Sequence, residues 1–181
     1  MKNKIIGVLG GMGPHASNRF MELLYSCKNY KEDKLYPRVI LDSNTKIPSR
    51  TRSIIFKEES PIKGMIQTAN QLKEYGANAI ALPCNTAHIW INELQKNVKI
   101  PIFDLTNLVS KEVISQCSNE QINVYIFGTT LTTKKKLYIK KLSKIKKINL
   151  IKAFQRRFRQ KLINGKIDQE CFLISNNLVK F

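Results

Sequence analysis

The chain has 181 residues, 43% of them hydrophobic, and a formal net charge of +18; this composition excludes a disordered chain and suffices for one sizeable core or two small ones. No apolar stretch approaches the roughly 20 residues of a membrane span, and the first apolar run meets glycines too early for a signal peptide, so a soluble cytoplasmic protein is expected. Its four cysteines, Cys27, Cys84, Cys117 and Cys171, form no C-x-x-C pair, which points away from a zinc site or a disulfide framework.

The chain begins with "KIIGVLGG", a short apolar run closed by glycines, and continues into "PHASNRFMELLYSC", where Phe20, Leu23, Leu24 and Cys27 recur at helical spacing. "PRVILDSN" reads as a strand, and the polar "TKIPSRT" after it as a loop, because Pro48 opposes regular structure. "SPIKGMIQTANQLKEYGA" combines a serine–proline start, apolar positions at Ile62, Met65, Ala69 and Leu72, and a stop at Gly76, which predicts a helix. "NAIALP" is expected as a buried strand, "TAHIWINELQK" as a helix, "IPIFDL" as a strand, "TNLVSKEVISQC" as a helix, and "INVYIFG" as a further strand.

Strands alternating with helices predict the α/β class, with parallel sheets and helices on both faces. Ligands in such folds bind beyond the carboxyl ends of the strands. Those ends carry Gly10 to Gly13, Asp42 to Asn44, Cys84 to Thr86, Asp104 and Gly128 to Thr130. Glycines and polar side chains therefore gather along one edge.

Cys84 stands where a strand gives way to a helix. The positive end of a helix favours a thiolate there, and so a base or nucleophile. Asn85 and Thr86 add donors for a substrate carboxylate. A lone cysteine is usually a small buried hydrophobe; two polar neighbours set this one apart. The stretch "GVLGGMGP" lacks the G-x-G-x-x-G dinucleotide fingerprint, and its glycines serve either a tight turn or a close approach to a small anion.

Four stretches, "GVLGGMGPHAS" at the N-terminus, "IPSRT" at 47–51, "PCNTAH" at 83–88 and "FGTTLT" at 127–132, together resemble the aspartate/glutamate racemase family of amino-acid racemases. The resemblance implies two half-domains, residues 1–106 and a shorter, basic 107–181, and a mechanism that uses neither pyridoxal phosphate nor metal nor any other cofactor. It further implies that one thiolate removes the substrate α-proton while a second thiol delivers a proton to the opposite face. Cys84 matches the first thiol. Met12, Arg50, Thr51, Arg52, Asn85, Thr86, Ala87, Thr129 and Thr132 match substrate-binding positions, and His88 is read as a supporting residue behind them. The implied partner is an acidic amino acid, whose distal carboxylate would pair with Arg50 or Arg52, and a homodimer is favoured.

The family's G-C-T-E segment with the second cysteine has no counterpart, and Cys171 is not assigned that role. The chain is therefore expected to be shortened at its C-terminus, with two-sided racemisation impaired. Between Lys134 and Lys166 stand fourteen Lys or Arg and no Asp or Glu. This block reads first as a drift in composition and second as a nucleic-acid surface. The competing expectations are a catalytically inactive binding module, for an acidic amino acid or for nucleic acid through residues 134–166, and a cysteine hydrolase with His88 as base.

Overall fold

A computed structural model describes residues 4–116, 123–139, 141–142 and 147–152. The chain divides into two compact units, 1–110 and 111–181.

The first unit is built on a four-stranded sheet in the order β2-β1-β3-β4, formed by β1 (Ile5–Leu9), β2 (Arg38–Asp42), β3 (Ala79–Ala81) and β4 (Ile102–Phe103). Every pairing is parallel, so all four strands release their chain at the same edge. The connections are helical, α1 (Pro14–Ser26), α2 (Arg50–Ile55), α3 (Ile62–Glu74) and α4 (Ile91–Asn97), and α5 (Leu105–Gln116) follows β4. The α/β class expected from the alternating pattern is what the chain adopts.

The period of α3 explains its place. Met65, Ala69 and Leu72 recur on one stripe and are fully buried, and the helix packs across β1, β2 and β3. Gly76 ends it with φ at +96°, a conformation in which glycine avoids the Cβ penalty of other residues. Leu9, Ile80, Leu82, Leu94 and Val98 complete the core beneath the helices. Burying each such aliphatic side chain is worth about 1.5–3 kcal/mol.

Two local departures from the sequence reading sit close to the strand-end edge. The stretch after Pro48 is not all loop: the Ser49 hydroxyl accepts the Arg52 N–H, and α2 begins at Arg50. The helix expected over 86–96 opens as a 3-10 turn, Thr86–Trp90, and becomes α-helical only at Ile91.

In the second unit β5 (Asn123–Gly128) pairs in parallel with β6 (Lys147–Lys152), and α6 (Thr130–Lys134) follows β5 directly. Ile126, Leu131 and Leu142 are buried there. Cys117, Cys171 and most of the basic block 134–166 lie outside the described residues. Among the described residues no helix is long and apolar enough to cross a membrane.

Candidate functional site

The first motif is folded by exclusion. The chain leaves β1 through Gly10, whose N–H donates to the Asp42 carbonyl at 2.8 Å, and then turns at Gly11 with φ at +81°. A Cβ on Gly11 would lie 2.3 Å from the Asn44 carbonyl carbon, so the loop after β1 rests directly on the loop after β2. Ser17, buried in α1, accepts the Gly11 N–H at 3.1 Å. Asn44 is held in turn, its amide donating to Thr68 Oγ1 at 2.8 Å. The turn delivers Met12 to the interior, where it is 5% exposed.

The third motif leaves β3, the strand next to β1. The Cys84 N–H donates to the Leu82 carbonyl at 2.8 Å, closing a three-residue turn around Pro83, whose fixed φ suits that turn. Cys84 itself is half-buried. Its carbonyl accepts the Ala87 N–H at 3.2 Å and faces His88 Nδ1 at 2.8 Å. Asn85 is exposed, whereas Thr86, Ala87 and His88 are buried.

The three motifs of the first unit meet. Met12, Ile47 and Ala87 belong to one apolar cluster, and Cys84 packs against it; α2, which carries Arg50, Thr51 and Arg52, touches the 86–90 turn. The two arginines differ. Arg50 is half-buried and donates through Nη1 to the carbonyls of Ile47 and Pro48, at 3.4 and 3.1 Å. Arg52 is exposed and forked onto Glu58, with Nε to Oε2 at 2.7 Å and Nη2 to Oε1 closer still. That hydrogen bonding raises the Arg52 guanidinium and holds the Glu58 carboxyl below its ordinary range. Thr51 is exposed on the same helix.

The fourth motif belongs to the second unit. Thr129 is exposed and Thr132 buried; their hydroxyls lie 3.0 Å apart, and Thr129 Oγ1 accepts the Thr132 N–H at 3.3 Å. Thr129 thus caps α6.

Supporting residues emerge that the motifs alone did not single out: Ser17, Ile47 and Thr68 each fix a loop of the site edge. Ser17 carried a readable signal, four residues beyond the glycine turn on the first turn of a helix. Thr68 carried none, since its partner Asn44 is 24 positions away. Asp104 closes the edge at β4, its carboxylate accepting from Thr106 Oγ1 at 2.6 Å and the Asn107 N–H at 2.9 Å. Among the described residues no three His, Cys, Asp or Glu come together as metal ligands.

Similarity to known proteins agrees with this fold. A broad-specificity amino-acid racemase of Bacillus subtilis, RacX, is 30% identical over 142 residues, 76% of this chain and 60% of its own. The glutamate racemase of Aquifex pyrophilus is 30% identical over 105 residues, 58% of this chain and 39% of its own. Among solved structures, the aspartate racemase of Picrophilus torridus superposes with a TM-score of 0.72 at 29% identity, covering 82% of this chain and 62% of that one. The chain thus spans between 39% and 62% of the length of these relatives. The Asp/Glu/Hydantoin racemase family model matches residues 9–162, and on that match, with strands, motifs and relatives in agreement, the chain belongs to this family.

Proposed function

We propose that the chain acts on the α-proton of an acidic amino acid without a cofactor, with Cys84 as the base. The observation that carries the reading is a half-buried thiol at the carboxyl end of β3, beside the glycine loop of β1, in a chain of the racemase family.

The α-proton of an amino acid is weakly acidic. Its removal needs a base held in place and donors for the charge that develops on the carboxylate. In this reading the Cys84 thiolate takes the proton, leaving a planar carbanion whose charge spreads into the carboxylate and a neutral Cys84 thiol. Asn85 and Thr86 receive that carboxylate, while Met12 and Ala87 form an apolar wall that limits water. Arg50 is the better candidate for the substrate's distal carboxylate, because two nitrogens of the Arg52 guanidinium are engaged by Glu58; Thr51 lies beside it. Thr129 and Thr132, within the second half-domain of this reading, residues 107–181, are its remaining substrate-binding candidates. Return of the proton from Cys84 restores the starting enantiomer, and delivery from the opposite face inverts it. No residue is assigned to that opposite face.

In this reading His88 is not the partner of a nucleophilic Cys84: its Nδ1 lies 2.8 Å from the Cys84 carbonyl oxygen, which speaks against the hydrolase alternative.

The test is incubation with L-aspartate or L-glutamate in heavy water, following loss of the α-hydrogen by proton NMR and the enantiomer ratio by chiral chromatography. Exchange with inversion supports a two-sided site, and exchange with retention a one-base site at Cys84. No exchange with either substrate overturns the enzymatic reading in favour of a binding module.

A further inference from the structure

His88 is 3% exposed, and its two ring nitrogens meet two different parts of the first unit. Nδ1 lies 2.8 Å from the carbonyl oxygen of Cys84. Nε2 lies 3.1 Å from the backbone nitrogen of Leu105, the first residue of α5. The partners decide the chemistry of the ring. A carbonyl oxygen can only accept, so Nδ1 carries a proton; a backbone N–H can only donate, so Nε2 carries a lone pair. Both conditions hold together only for the neutral Nδ1–H tautomer, because an imidazolium would set two N–H groups against each other at Leu105.

The Leu105 N–H belongs to the first turn of α5, where a helix has no carbonyl of its own to offer. Neighbouring groups of that turn are satisfied from within: Asp104 takes the Asn107 N–H through both its carboxylate and its carbonyl, and the Leu108 N–H through the carbonyl. The Leu105 N–H is instead received by a side chain 17 positions earlier. At the other end of the ring the Cys84 carbonyl takes two donors, Ala87 N–H and His88 Nδ1–H. The Cys84 N–H is spent on Leu82. The peptide groups on either side of the thiol-bearing carbon are thus both fixed, one by the turn around Pro83 and the other by the imidazole.

We propose that His88 is a positioning residue that braces Cys84 against the start of α5, fixing where the thiol stands while taking no part in proton transfer. The proposal rests on the reading of Cys84 as the base. A base must sit within a fraction of an ångström of its productive place, and a displacement of about 1 Å costs up to about 100-fold in rate. The brace supplies that placement by tying the chain just beyond a strand end to a helix start.

The experiment combines a spectroscopic and a kinetic readout on the full chain. Long-range proton–nitrogen NMR of the imidazole is expected to show Nδ1 protonated and Nε2 bare at neutral pH; an Nε2–H tautomer or an imidazolium overturns the brace. In the heavy-water exchange assay, His88→Leu is expected to lower kcat about 10- to 100-fold while KM stays within about twofold. His88→Asn, whose amide N–H reaches the Cys84 carbonyl, is expected to recover most of that loss. Equal losses in the two variants would overturn the role of the Nδ1–H bond, and a His88→Leu that exchanges at the parent's rate would overturn the proposal while leaving Cys84 as the base. A parent that does not exchange, or a Cys84→Ala that matches it, overturns the base and the positioning role together. Should His88→Leu fail to fold, His88→Asn and the NMR of the parent decide the matter.

Discussion

The loops that follow β1 and β3 leave neighbouring strands at the same sheet edge, yet they are held by different physics. Gly11 is fixed by what is missing: a side chain there would occupy the place of the Asn44 backbone. Cys84 is fixed by what is present, a proline-centred turn on one side and an imidazole on the other. The first loop is tight because nothing larger fits, and it fails most severely by overcrowding, with the Ser17 hydroxyl on the Gly11 N–H a lesser hold. The second is rigid because its polar groups are matched, and so it fails by losing a partner. A site that needs both a close backbone approach and a half-buried reactive atom draws on each.

The difference is broken most sharply at Gly11. Gly11→Ala combines a positive φ with a Cβ 2.3 Å from backbone and is expected to cost about 2–4 kcal/mol of stability by denaturant melting. Gly13→Ala is the control. No atom lies within 4 Å of its added Cβ and its φ is −114°, so only the small loss from replacing glycine at the α1 N-cap is expected, about 1 kcal/mol or less.

Ser17→Ala comes next. It removes the buried acceptor of the Gly11 N–H, and an unpaired buried donor costs about 1–3 kcal/mol. The same melt checks it, and a loss below that range would mean that the Gly11 N–H finds another acceptor.

Between the arginines the expected contrast is in binding rather than stability. Arg50→Ala should raise KM for aspartate or glutamate about 10- to 100-fold, the worth of a charge-assisted hydrogen bond, with Arg52→Ala close to the parent. The reverse order would transfer the role to Arg52.

The smallest effect is expected at the exposed Arg52–Glu58 pair. Hydrogen bonding to Arg52 lowers the Glu58 carboxyl in the folded chain, so any stability it gives is present above the unfolded carboxylate's pKa and is lost as pH falls through the folded one. Exposed pairs of this kind contribute little and are screened by salt. Melts of parent and Glu58→Gln should therefore differ slightly at neutral pH and low salt, and coincide in acid or at high salt.

Much of this was legible in the residues. The alternation of "KIIGVL", "PRVILD" and "NAIALP" with helical stretches gave the parallel sheet, because buried strands and amphipathic helices have different periods. The strand ends then placed the glycine turn and Cys84 on one edge. What stayed hidden was of two kinds. Short elements such as α2 and α6, with six and five residues, carry too little periodicity to be read. The bonds from His88 to Leu105 and from Asn44 to Thr68 join residues 17 and 24 positions apart, and no local pattern encodes them. His88 illustrates the limit well: four positions after Cys84 it could be placed near the thiol, but only the fold shows its ring turned to the backbone.

The account rests most directly on Cys84, and the comparison that tests it is parent against Cys84→Ala with L-aspartate and L-glutamate in heavy water. It predicts α-hydrogen loss by the parent and a rate lower by about 10²- to 10⁴-fold in the variant, the usual contribution of a positioned general base, with the two melting alike. Exchange at equal rates in both, or none in the parent, would contradict it.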